Sequence, residues 1–516
     1  MTGVIAALDS GRDEGALGRL LGRASLVGFG TVYQQGLAFM SGLIVARVLG
    51  AADYGMFNLA RNLADTTGIV TRLGLDIGLQ RHMGECAAPA LRAARTAVLR
   101  KVRLLAGSCA LLPALAVALG LGAALEADVY RYAHFAEALL CLLLVLPFTT
   151  DLAVLGGAYR GVLRLAPAVM AEYLLLPTVR LVAIVALFLA GWRLWAVVAG
   201  SMLAALLASL YLAASARRDF AIAVPEPGSG WPQALRVIGY SSVLSAAVLV
   251  TTLTAGLDLL LLGHYGTPLE TGQYALVKTL LLMIGLFGVA LGQGLGALVA
   301  ERHARGDADG MVEVMSLTAR WIALGTAPLL GVFLFWGAEI ARLFGPSFVV
   351  SPSVVAWLAA GQYLVAVLGP AGWALSMTGR HFVELGILSA GLATAAVLGW
   401  LAIPAFGAQG AALSTVVALA IANIGRLMFA RRVTGRFPFR ADLIGITALG
   451  TGLAAFCALL ASSLPTPGPL RAACGIGIFL AAYVVCAWRF LLQDGERRQL
   501  RSLQQAALAR LTRARR

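Results

Sequence analysis

Lysine is nearly missing from this chain. Lys101 and Lys278 stand against 38 arginines, and only 13% of the 516 residues are charged while 60% are hydrophobic. With a mean hydropathy of +0.85, that charge deficit excludes the soluble globular classes. The lysine deficit itself fits a GC-rich bacterial genome, where arginine replaces lysine by default. The six cysteines, Cys86, Cys109, Cys141, Cys457, Cys474 and Cys486, have no metal-ligand spacing and are expected to be reduced and structural. Also lacking are a phosphate-cradling loop followed by Lys and Ser/Thr and any nucleophile triad, so neither an enzyme nor a cofactor is expected. Residues 1–23 contain Asp9, Asp13 and Glu14 without a continuous apolar core. A cleavable signal peptide is therefore not expected, and the first apolar run directs insertion.

Long apolar runs are what the chain has instead. About 20 apolar residues span a bilayer, and fourteen such runs lie near 24–49, 56–79, 99–124, 133–157, 166–190, 194–215, 237–262, 272–299, 315–337, 350–376, 383–403, 408–430, 443–463 and 468–491. The expected fold is an all-α polytopic membrane protein of about 14 transmembrane helices. About 29 of the 40 Lys and Arg fall in the termini and alternate loops, which by the positive-inside rule places both termini in the cytoplasm. Only Arg131, Arg193, Arg342 and Arg471 fall in the opposite loops. The net charge of +15 follows from this bias and calls for anionic membrane lipids, not nucleic acid. No loop has room for a soluble domain, so the chemistry must lie in or between helices.

A heptapeptide recurs. Gly55-Met56-Phe57-Asn58-Leu59-Ala60-Arg61 reappears 217 positions later as Gly272-Gln273-Tyr274-Ala275-Leu276-Val277-Lys278. Each copy follows a Leu-Gly pair, opens an apolar run and plants one cation inside it, and the match continues from Gly68 to Gly285. Two cations at equivalent depths suit a central cavity that holds an anionic group midway across a bilayer. The expected layout is a cytoplasmic segment at 1–23, a six-helix half at 24–216, a Pro/Gly-rich linker at 217–236 and a second half at 237–430. Two extra helices come next at 431–492, then a basic amphipathic tail at 493–516 lying on the inner leaflet.

Charges inside the runs select candidate residues. Arg61, Asp65, Arg72 and Asp76 project within a sector of roughly 80° on a continuous helix and cover about 22 Å of it. Each costs about 2.5–3.5 kcal/mol if it faces lipid at the helix centre. They read either as two i,i+4 salt bridges or as a cavity wall, and the wall explains four charges more economically. Gln34, Gln35 and Arg47 in the first run, Glu172 and Arg180 in the fifth, and Asp258 and Lys278 in the seventh and eighth complete the inventory. Arg47 reads equally as snorkelling to the surface, and Arg320 and Arg426 lie near enough to run ends to do the same. Arg61, Lys278, Arg72, Arg47 and Gln35 are the candidate anion contacts. Asp65, Asp76, Asp258, Glu172 and Arg180 are their charge partners or coupling groups, with Asp258 either keeping Lys278 protonated or taking up a proton itself. Asp151 and Glu384 read as interfacial.

Three further segments carry a family resemblance. They are Ala46-Arg47-Val48-Leu49-Gly50-Ala51-Ala52-Asp53-Tyr54-Gly55, Leu257-Asp258-Leu259-Leu260-Leu261-Leu262-Gly263 before Gly272-Gln273-Tyr274, and Gly407-Ala408-Gln409-Gly410-Ala411-Ala412-Leu413. Their order and spacing resemble bacterial oligosaccharide flippases of the polysaccharide-export branch of the multidrug/oligosaccharidyl-lipid/polysaccharide superfamily. The resemblance extends over about residues 24–440. It implies two six-helix bundles around a cationic cavity, moving a polyprenyl-diphosphate-linked oligosaccharide across the inner membrane by alternating access, beside a glycan polymerase and export machinery. The equal numbers of carboxylates and arginines in the second run depart from that pattern. A cation-coupled multidrug exporter of the same superfamily is the alternative, favoured if carboxylates outnumber cations in the cavity. A membrane glycan polymerase needs a larger outer loop than any present here.

Overall fold

The computed structural model describes residues 14–85, 92–220, 231–377, 380–439, 442–463, 468–492 and 497. Cys86, residues 221–230 of the 217–236 linker and nearly all of the 493–516 tail lie outside them. Every described element is helical, as a chain in lipid requires, because a helix satisfies its own backbone polar groups. The helices are α1 (Glu14–Arg72), α2 (Leu75–Glu85), α3 (Arg92–Ala116), α4 (Phe135–Leu144), α5 (Leu146–Gly161), α6 (Leu176–Leu189), α7 (Leu194–Asp219) and α8 (Trp231–Tyr265). They continue as α9 (Pro268–Ala304), α10 (Ala308–Arg342), α11 (Pro352–Leu368), α12 (Pro370–Met377), α13 (His381–Phe406), α14 (Ala408–Thr434), α15 (Asp442–Ser462) and α16 (Gly468–Cys486).

Among the described residues, 11 helical stretches are long and apolar enough to cross a membrane. The first two apolar runs are fused in one such stretch, Gly28–Glu85, and α11 is a shorter apolar helix. The run near 272–299 falls within α9. Inside α1 the axis breaks at Gly50, whose φ of 76° and ψ of 175° are not helical. Glycine takes that conformation without a Cβ penalty, so a single continuous element contains a turn.

The chain folds as two compact units. The first comprises residues 1–282, 344–350 and 380–425. In it α7 packs along α6 and α5, α2 and α3 along α5, and α8 along α13. Its core runs through Leu75, Leu79, Met83, Val98, Leu155 and Tyr159, all buried. Small residues set the closest approaches, as helix pairs in lipid require. A Cβ on Gly55 would stand 2.5 Å from Gly272 N and from Pro268 O, so the two glycines of the heptapeptide copies face each other.

The second unit comprises residues 283–343, 351–379 and 426–516. Its α10 is flanked by α11 and α15, with α16 packed on α15 and α10. Asp307 caps α10 by accepting from Gly310 N at 2.8 Å and pairs with Arg302 Nη1 at 2.6 Å. Both interactions hold its carboxyl below the usual range, the backbone N–H most of all. Arg320 is buried and ion-paired with Asp442, and also donates to the Leu491 carbonyl. It does not snorkel, because a carboxylate and a helix-end carbonyl reach it inside the protein.

Candidate functional site

The second leg of α1, from Ala51 to Arg72, is about 32 Å long at 1.5 Å per residue. Arg61 sits about 15 Å along it, near its midpoint. There Arg61, Asp65 and Arg180 line one cavity of about 200 Å³, with Thr149 and Ser201 as further polar wall. Arg61 Nε lies 3.5 Å from Asp65 Oδ2. Arg180 Nε is buried and has no hydrogen-bond partner among the described residues. The cavity wall thus carries two guanidinium groups and one carboxylate, and Asp65, whose side chain is 64% exposed, pairs with Arg61; paired guanidinium groups attract a multivalent oxyanion and offer it bidentate donors.

Glu172 and Arg180 are separated by a change of register. Residues Met170–Leu175 form a π-helical turn ahead of α6, and the wider turn rotates α6 relative to a regular helix. Arg180 faces the cavity, whereas Glu172 accepts from Arg160 Nη1 at 2.7 Å.

The charged stripe of the second run is interrupted. Helix α1 ends at Arg72, Leu73 and Gly74 take positive φ of 51° and 66°, and Asp76 belongs to the first turn of α2. Arg72 and Asp76 therefore are not i,i+4 neighbours on one helix, and no salt bridge joins them among the described residues. The positive-φ turn redirects the chain, so the 80° sector holds only as far as Arg72. Arg72 Nε is buried without a hydrogen-bond partner among the described residues, and Asp76 is half-buried. Arg47 is exposed three residues before the Gly50 break, and Gln35 is half-buried in the first leg; neither lines the Arg61 cavity.

Asp258 and Lys278 form a separate, more buried pair. Lys278 Nζ donates to Asp258 Oδ1 at 2.7 Å, to Oδ2 at 3.0 Å and to the Ala255 carbonyl at 2.6 Å. Tyr274 Oη and Thr415 Oγ1 donate to Oδ2 at 2.6 and 3.0 Å, and Leu259 N to Oδ1 at 2.7 Å. The carboxylate is fully satisfied and 4% exposed. Four contacts of the pair, from Tyr274, Thr415, Leu259 and the Ala255 carbonyl behind the ammonium, are not legible in the sequence pattern of charges. Tyr274 has the nearest signal, since it lies in the repeated heptapeptide four residues before Lys278, one helical turn away.

Turns of the first unit are tied to one another. Ala51 N donates to Ser347 Oγ at 3.2 Å, Gln273 Nε2 to the Ser347 carbonyl at 2.7 Å, and Ala408 N to Glu270 Oε1 at 2.6 Å. Tyr132 Oη and Thr271 Oγ1 are 2.8 Å apart, and His264 Nδ1 lies 2.7 Å from the Val129 carbonyl. All these turns come after odd-numbered apolar runs, so they close one end. Towards the other end α2 meets α8, where a Cβ on Gly78 would clash with Ser241 Oγ.

Residues 21–293, more than half of the chain, match the model of a family described as polysaccharide biosynthesis protein. The chain belongs to that family. Among curated protein sequences none matches. Solved structures share the fold at low identity. A lipid II flippase MurJ in an inward closed conformation superposes with a TM-score of 0.71 at 12% identity, covering 90% of this chain and 98% of that one. An inward-facing multidrug resistance MATE family transporter of the MOP superfamily gives 0.62 at 15% identity, covering 78% and 95%. A Vibrio cholerae MATE transporter, VcmN, gives 0.56 at 14% identity, covering 81% and 98%. This member of the polysaccharide biosynthesis family is thus a multi-pass helical membrane protein with the fold of lipid flippases and multidrug exporters.

Proposed function

We propose that the chain is a flippase that moves a polyprenyl-diphosphate-linked oligosaccharide across the bacterial inner membrane by alternating access, for export of a cell-surface polysaccharide. Carrying this is the cavity whose wall brings Arg61 and Arg180 together with one carboxylate, Asp65. A diphosphate needs charge-assisted donors in place of its lost hydration, and guanidinium groups supply them in pairs. Family membership and the MurJ-like fold agree with such a substrate.

The cavity of about 200 Å³ has room for only about seven waters at 30 Å³ each, less than an oligosaccharide requires. Substrate must therefore enter a wider state, and the ties among the 51, 132, 271, 347 and 408 turns are what one opening breaks. In this account those turns face outward, both termini are cytoplasmic, and fourteen helices form two six-helix halves, 24–216 and 237–430, plus two more. Contact between Gly55 and Gly272, equivalent positions of the repeat, is what a pseudo-two-fold axis between such halves would produce. Asp258 and Lys278 supply the coupling. While paired they neutralise one another, and protonation of Asp258 frees the ammonium for the anion. Unchanged transport rate and pH dependence in Asp258→Asn would sink this coupling role.

Depleting the protein in its host and extracting lipid-linked oligosaccharide leaflet by leaflet tests the function. Accumulation on the cytoplasmic leaflet, relieved by the native chain and not by Arg61→Ala/Arg180→Ala, is expected. Absence of accumulation together with altered sensitivity to cationic drugs would instead favour the multidrug exporter.

A further inference from the structure

A second, larger cavity of about 410 Å³ lies in the first unit, between α3, α5 and the end of α7. It has a cationic side formed by Arg100, Arg103 and Arg217 and an apolar side formed by Leu99, Leu104 and Phe220. One carboxylate, Asp151, reaches it, and that carboxylate is already engaged. Arg103 donates to it bidentately, Nε to Oδ1 at 2.6 Å and Nη2 to Oδ2 at 2.9 Å, and Ser209 Oγ adds a bond to Oδ2 at 3.0 Å. Asp151 is therefore an anchor that fixes Arg103.

The neighbouring carboxylate, Asp219, is committed elsewhere. Its Oδ2 accepts from Tyr159 Oη at 2.9 Å and its Oδ1 from Arg164 Nη1 at 2.7 Å. The Tyr159 ring also packs against Phe220, with centroids 5.1 Å apart, so the apolar wall is held in place. Arg100 and Arg217 are exposed and have no ion-pair partner among the described residues. Leu104, one helical turn from Arg100, is 63% exposed, which leaves an apolar track leading out of the cationic recess. The feature is a pocket with two unneutralised guanidinium groups at its mouth, a third fixed in its floor, and an oily exit.

We infer that this pocket binds the phosphodiester headgroup of an acidic membrane phospholipid, with the acyl chains leaving along Leu104. Basic pockets between helices at the cytoplasmic level recognise such headgroups, and that is where the charge bias of the loops puts Arg100 and Arg217. The bound lipid would bridge α3 and α7 without entering the Arg61 cavity. Its binding does not depend on which substrate the chain carries.

Native mass spectrometry of the full chain in detergent tests this, with phosphatidylglycerol, phosphatidylcholine, a polyprenyl diphosphate and inorganic phosphate as separate titrants. Phosphatidylglycerol should be retained in preference to phosphatidylcholine. Arg100→Ala/Arg217→Ala should weaken phosphatidylglycerol about thirtyfold, taking about 1 kcal/mol for each basic residue at an anionic leaflet. Arg100→Lys/Arg217→Lys should retain most of the binding, and Arg432→Ala, outside the pocket, all of it. Both exposed arginines can be removed without touching the Arg103–Asp151 anchor, and a melting curve verifies that the variants are folded. Equal retention of the two phospholipids, or no loss in Arg100→Ala/Arg217→Ala, would overturn the assignment. Preference for the polyprenyl diphosphate would overturn it in favour of a substrate site, and competition by inorganic phosphate at equal concentration in favour of a simple anion site.

Discussion

Replacing Asp258 by Asn removes one negative charge and little else. Asn keeps one acceptor oxygen for Lys278 and Leu259 N–H, while its amide can donate to the hydroxyl oxygens of Tyr274 and Thr415, which also accept. The hydrogen bonds are largely repairable, and the charge is not. Asp258 is 4% exposed, whereas the Lys278 side chain retains 25% of its exposure. Breaking a fully buried pair from one side costs about 3–5 kcal/mol, and partial solvent access to the ammonium selects the lower end, about 3 kcal/mol. For a chain of 516 residues, an unfolding entropy of about 2.1 cal/mol/K per residue converts this into a melting shift of about 3 °C. Asp258→Asn/Lys278→Met removes the stranded ammonium as well and should recover to within about 1 °C of the native chain. Fluorescence-detected melting of the four proteins of the cycle is the assay. A single variant indistinguishable from the native protein, or a double variant as unstable as the two single shifts added together, would refute a mutually neutralising pair.

Other consequences are as direct. Gly272→Ala drives a Cβ into the Ala51 carbonyl oxygen; backbone cannot yield as a side chain does, so the yield of monodisperse protein should collapse, as size-exclusion chromatography will show. Arg320→Met strands Asp442, which the structure pairs with it, and should cost about 3 kcal/mol, read as a lower melting temperature. Tyr132→Phe removes the bond to Thr271, a contribution of about 1 kcal/mol, and should raise several-fold the rate at which a cysteine introduced at Ala275, buried one helical turn further along, reacts with a water-soluble maleimide.

The apolar runs are readable because lipid permits so few solutions: about 20 apolar residues in succession can hardly be anything but a helix. The repeat is readable for a steric reason, since only glycine allows the backbones at 55 and 272 to approach so closely. The pairing of Asp258 with Lys278 is also within reach, because buried opposite charges in consecutive helices seek each other. Other features are hidden by the assumption of a uniform 100° per residue. That arithmetic carries the charged stripe through to Asp76, whereas Leu73 and Gly74 end the helix. A glycine directly after Leu73 and an aspartate two residues later form a stop and then a start, which is the available signal. The π-helical turn at Met170–Leu175 parts Glu172 from Arg180, and a π turn leaves no comparable mark in the residues that form it. Arg160 as the partner of Glu172, and Asp151 as the anchor of Arg103, depend on helix packing that spacing along one chain does not reveal.

In the proposed mechanism Arg61 and Arg180 together carry an anionic lipid through the membrane. Its most direct test is flipping of a fluorescent polyprenyl-diphosphate sugar by the purified chain in liposomes, monitored with a membrane-impermeant quencher, for the native protein, Arg61→Lys/Arg180→Lys and Arg61→Ala/Arg180→Ala. Transfer by the native chain is expected, with reduced transfer for the lysines, whose point charges lose bidentate contact, and transfer at the protein-free rate for the alanines. Native rates from the alanine variant would contradict it.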